Sequence, residues 1–113
     1  MAALVIQQVV RTGLVEALVA ASNGGDTFVN DGKKFFRVKN GHASAARTVT
    51  FASQLPAGAL PQGAAKADLA VVVAALTSVD IGPFDPAAFN DNTGRVIVTY
   101  STEADLTVAA VSL

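Results

Sequence analysis

The chain of 113 residues has no cysteine and no tryptophan, one histidine, one tyrosine and only 15% charged residues. Without cysteine there is no disulfide and no thiolate metal site, and the redox compartment leaves no mark on the composition. His42 is the sole imidazole. With no second ligand at HExxH or similar spacing, it reads as a solvated residue in the turn after Asn40-Gly41. No serine occupies a G-x-S-x-G elbow. Asp91-Asn92-Thr93-Gly94 lacks the bidentate glutamate that closes a calcium loop, and turn chemistry accounts for it more simply. Asp85, Asp91, Glu103 and Asp105 show no acid–base pairing, and no glycine pattern fits a phosphate cradle. The expectation is a protein that is not an enzyme and uses no metal or cofactor.

Charge of either sign is also scarce. Eight basic residues are scattered between Arg11 and Arg95, with no stripe and no interleaved aromatics, so nucleic acid is not an expected partner. The formal net charge of −1 leaves almost no self-repulsion, an unusually neutral surface for a freely diffusing monomer. No apolar run approaches the ~18 residues of a membrane span, and no basic stretch precedes Ala2-Ala3-Leu4-Val5-Ile6, so neither a membrane partner nor a secretion signal is expected.

What is present is small and aliphatic. Half the residues are apolar, but the aromatics are six Phe and one Tyr, and Ala and Val make up much of the rest. At ~25 cal/mol per Å² such side chains form a thin core against about 1–2 kcal/mol of backbone entropy per residue. Further burial in an oligomer or on a partner would help.

The least generic stretch is 82–94, where Pro83 and Pro86 forbid a central strand and Asn90 to Gly94 supply turn chemistry. Phe84 and Phe89 can pin this loop inward, the favoured reading, or one can project into a partner as an aromatic anchor. Residues 95–100 are the clearest strand. Residues 4–11 suit a strand, and 14–21 can be helix or strand, with flanking glycines favouring strand. Residues 33–39 alternate, placing Phe36 and Val38 inside, and 48–53 place Val49 and Phe51 inside. The two runs are expected to form a hairpin across Asn40-Gly41, with Lys33-Lys34 an exposed turn. Residues 54–66 form a long loop whose Leu55 and Leu60 are candidate partner contacts. A buried helix would read much like 68–76, but the valine run and the following 78–81 favour two strands bent near 74–77. The runs 96–100 and 106–113 suggest a final hairpin. Seven or eight short strands describe one domain over 1–113, an all-β, antiparallel, jelly-roll-like β-sandwich.

Three groups of residues also carry a resemblance. Asp26-Thr27-Phe28-Val29-Asn30-Asp31-Gly32 with Phe35, Val38, Asn40 and Gly41 is the first. The second is Ile81-Gly82-Pro83-Phe84 with Pro86 and Phe89-Asn90-Asp91, and the third Val98-Thr99-Tyr100-Ser101 with Leu106-Thr107-Val108-Ala109-Ala110. In this order they resemble small head proteins of tailed bacteriophages, among them capsid decoration, or cement, proteins. Ala74-Ala75-Leu76-Thr77 departs from the Pro-Gly turn expected there, and 54–66 has no clear counterpart. The resemblance implies a virion structural protein made in the host cytoplasm. It would act as a homotrimer on the capsid exterior, with the major capsid protein as partner. A head–tail joining or tail-associated protein is the alternative, and a carbohydrate-binding sandwich is a weaker one, since Tyr100 is the only tyrosine available for sugar stacking.

Overall fold

Six phenylalanines are too few to line two sheets evenly, and five of them converge instead. In the computed structural model, which describes residues 2–15, 17–54 and 68–112, the rings of Phe28, Phe36, Phe51, Phe84 and Phe89 form a connected cluster. Neighbouring centroids lie 4.7 to 5.8 Å apart. All five are buried, and valines complete the core around them.

The strands are β1 (Ala2–Ala3), β2 (Ile6–Gln8), β3 (Val19–Ala20), β4 (Asp26–Val29), β5 (Lys34–Asn40) and β6 (Arg47–Phe51). They are followed by β7 (Leu69–Val73), β8 (Ser78–Ile81), β9 (Arg95–Tyr100) and β10 (Leu106–Ser112). A single-turn helix, α1 (Pro86–Phe89), lies between β8 and β9. Sheet A has the order β1-β4-β9-β6-β7 and sheet B the order β2-β10-β5-β8, with β3 also on β10. The molecule is therefore an all-β sandwich.

Its sheets are mixed, which corrects the antiparallel expectation. β1 runs parallel to β4 and β2 runs parallel to β10. The cause is the N-terminal arm, which does not form one strand over 4–11. It leaves sheet A after Ala3, spends Leu4 on a 2.7 Å backbone bond to Thr27, and joins sheet B at Ile6. β2 and β3 lie end to end along one edge of β10, against Ala110–Ser112 and Thr107–Val108 respectively, while β5 holds the other edge. Among the described residues of 14–21 strand pairing is confined to Val19–Ala20.

Both expected hairpins are absent. β5 pairs with β8 and β10 in sheet B, whereas β6 pairs with β7 and β9 in sheet A. β9 and β10 likewise belong to opposite sheets. Alternation fixed the inner faces correctly, since Phe36, Val38, Val49 and Phe51 are all fully buried. An inward-facing pattern is the same whether two strands lie side by side or face each other across a core. Here they face: Phe36 meets Phe51 edge to face at 5.4 Å. Asn40 directs the first crossing. It is fully buried, its amide donates to the Ala45 and Val73 carbonyls, and its Oδ1 accepts the His42 N–H. The bend between β7 and β8 is as expected, with Leu76 at φ 59°.

Candidate binding surfaces

The 82–94 stretch is an internal clasp. Asp85 caps α1 by accepting the Ala87 N–H at 3.0 Å, and Pro86 occupies the first turn, where its missing N–H costs nothing. The helix buries Ala88 and Phe89. Asp91 Oδ1 then accepts bonds from the Thr93 hydroxyl, the Thr93 N–H and the Arg95 N–H. These bonds, led by the Thr93 hydroxyl, hold the half-buried Asp91 carboxyl below the usual carboxylate range.

Phe84 and Phe89 are thus core residues, with 1% and 7% of their surfaces exposed, and the partner-anchor reading of them is corrected. The proline-forced bend turns both rings inward, Phe84 against Phe28 and Phe51 and Phe89 against Phe84. Leu55 and Leu60, the other two candidates, lie outside the described residues. Lys34 is also no exposed turn residue: it is buried and pairs with Asp31 at 2.9 Å. His42 is partly buried and structural, its Nδ1 accepting the N–H groups of Ser44 and Ala45. Among the described residues no three His, Cys, Asp or Glu side chains converge on a possible metal position.

Two surfaces among the described residues bear on binding. The outer face of sheet A is built by the residues that alternate with the buried ones: Thr27 and Val29, Ile97 and Thr99, Thr48 and Thr50, Ala70 and Val72. Thr50 stands directly opposite Thr99, and Thr48 opposite Val72, which is 66% exposed. Arg95 carries the only charge among the described strand residues of this face. The outer face of sheet B is unlike it, with Arg37 gripping Asp80 through two bonds of 2.6 and 3.0 Å and lying over the Phe35 ring.

The second surface is a groove of about 470 Å³ at the N-terminal edge, between the arm and β3, with Val108 and Ala109 also contributing to its lining. Gln7 braces it, its side-chain amide donating to the Ala17 carbonyl at 2.8 Å and accepting the Ala17 N–H at 2.7 Å, as a strand neighbour would. Val5 and Val19 leave much of their surface in solvent.

No family model, no curated protein and no solved structure matches this chain.

Asp26 contributes to the groove wall and is fully buried. Its Oδ2 accepts the Tyr100 hydroxyl at 2.6 Å and the Ser22 N–H at 3.2 Å. Oδ1 is buried, and no donor among the described residues reaches it. Burial first, then the bond to Asp26 and its charge, push the Tyr100 hydroxyl far above the ordinary tyrosine range, so it remains a donor. Tyr100 is therefore tied to Asp26 through its hydroxyl and packs, partly buried, against the core. The sequence carried no sign of this site beyond an aspartate at the head of an apolar strand.

Proposed function

We propose that the chain is a structural protein of a tailed-phage head, a decoration or cement protein. It coats the assembled shell from outside as a homotrimer and clamps the major capsid protein beneath it. The observation that carries this reading is the outer face of sheet A, a run of hydroxyl and aliphatic side chains with one arginine. Such a face can be covered by another protein while stripping water from a single charge at most, and charge desolvation is the costly part of burying a polar surface. The resemblance of the 26–41, 81–91 and 98–110 residues to head proteins supplies the partner. A protein that binds only the assembled lattice stabilises that lattice by mass action.

The test is cosedimentation of the purified chain with expanded, DNA-free shells of the major capsid protein encoded by the same genome. Saturable binding in proportion to the shell lattice is expected, and it should be lost on placing charge at the cross-strand pair with Thr50→Lys and Thr99→Lys. Failure to sediment at saturating concentration would overturn the reading. A copy number matching one ring at a single vertex would assign the chain to the head–tail joint instead.

A further inference from the structure

We infer that the groove beside the N-terminal arm is a binding site for a primary alkylammonium group, with Asp26 as its counter-ion. Two independent observations meet there. The first is a concave site of about 470 Å³, within the range of small-ligand pockets, walled by alkyl groups of Leu4, Val5, Val19, Ala20 and Val108. The second is the fully buried Asp26 carboxylate in the same wall, with two donors on Oδ2 and, among the described residues, none on Oδ1. Buried carboxylate oxygens are ordinarily hydrogen-bonded, so an orphan at the side of a groove marks a missing donor.

The chemistry of that donor follows from its surroundings. An anion is repelled. A divalent cation needs several oxygen ligands, and no group of three acidic, His or Cys side chains is assembled among the described residues. A neutral donor makes a weaker bond to a carboxylate than a charged one. An ammonium on a short methylene chain satisfies both parts of the site: the stem lies along the alkyl walls and the head reaches the carboxylate. The wall segment that yields to admit it is β1, exposed and, among the described residues, held to β4 by two residue pairs, one of them Ala2 with Asp26. The same group arrives either as a free amine or as the lysine side chain of a protein partner. The inference does not depend on the shell-coating reading.

The probe is n-butylammonium, titrated into the isotope-labelled chain while amide NMR signals are followed, with 1-butanol as neutral isostere. Saturable shifts at Ala20, Ser22 and Asp26 are expected with butylammonium, and at least tenfold weaker binding with 1-butanol. Nα-acetyl-lysine amide, titrated in parallel, separates the sources: binding as tight as butylammonium assigns a partner's lysine, and exclusion assigns a free amine. Asp26→Asn should weaken butylammonium at least tenfold. Because that change also touches Tyr100 and Ser22, Ala20→Phe, on an exposed strand, blocks the groove without altering the carboxylate and should have the same effect. Equal response to 1-butanol, absence of saturation, or undiminished binding by folded Ala20→Phe would overturn the assignment.

Discussion

Asn30 and Asn90, sixty positions apart, bond each other twice: the Asn30 amide donates to Asn90 Oδ1 at 2.8 Å, and the Asn90 amide donates to the Asn30 carbonyl at 2.8 Å. Asn30 also donates to the Phe84 carbonyl and accepts the Gly32 N–H. One buried side chain therefore ties the end of β4, the turn into β5 and both ends of the 82–94 clasp. Removing it leaves several buried groups without partners, at about 1–3 kcal/mol each when uncompensated. Asn30→Ala is expected to cost roughly 3 kcal/mol and Asn90→Ala about 1–2 kcal/mol. Since the residues share bonds, the double variant should lose less than the sum by at least ~0.5 kcal/mol. Urea denaturation of the four proteins measures all three quantities, and strict additivity would mean the two act separately.

Phe84 occupies the middle of the ring cluster, 4.7 Å from Phe51, 5.6 Å from Phe28 and 5.7 Å from Phe89. Truncating it removes contacts from two strands of sheet A and the clasp together. Phe84→Ala and Phe89→Ala should each destabilise by about 3–5 kcal/mol, as core aromatic truncations do. A loss under about 1 kcal/mol for either, measured by the denaturation midpoint, would contradict the core assignment.

How much of this was legible in the sequence depends on the scale of the question. The period of two reported which side chains face inward, and Phe36, Val38, Val49 and Phe51 are all buried. It did not report neighbours. The 41–46 segment is long enough to cross to the opposite sheet as well as to close a hairpin, and Asn40, through its bonds to Ala45 and Val73, holds the crossing in place. The clasp was readable because prolines constrain backbones locally, although its helical turn was not. Asp26 was invisible for the opposite reason. Its partner Tyr100 is 74 residues away, and its groove is closed by an arm whose switch of sheets at Leu4 leaves no local signature.

Neighbouring glycines give a sharper comparison. Gly24 and Gly25 both have positive φ, 86° and 106°. A Cβ on Gly24 would meet nothing within 4 Å, whereas one on Gly25 would collide with the Val98 carbonyl oxygen, where β4 joins β9. Gly24→Ala should therefore cost only the backbone term of about 1–2 kcal/mol. Gly25→Ala must also displace a strand, and its loss should exceed that of Gly24→Ala by more than ~1 kcal/mol. Thermal melts of the two variants check the order, and equal losses would show that β9 yields freely there.

The Tyr100 hydroxyl should make stability fall in alkaline solution. Its ordinary value of 10.0 is raised in the folded protein, chiefly by burial and then by the bond to Asp26, so the folded chain keeps a proton that the unfolded chain releases. Below about pH 10 both states are protonated and the Tyr100–Asp26 contribution is fully present. Above it the unfolded state binds fewer protons, and the free energy of unfolding declines by up to about 1.4 kcal/mol per pH unit from this one group. Tyr100→Phe deletes the titrating hydroxyl. The variant should be less stable than the parent at neutral pH, having lost a donor to a buried carboxylate. The gap should narrow as pH rises from about 9 to about 11, whatever the lysines do in both proteins. Paired urea titrations across that range read the difference directly, and a gap that stays constant would show that Tyr100 titrates alike in the folded and unfolded chains.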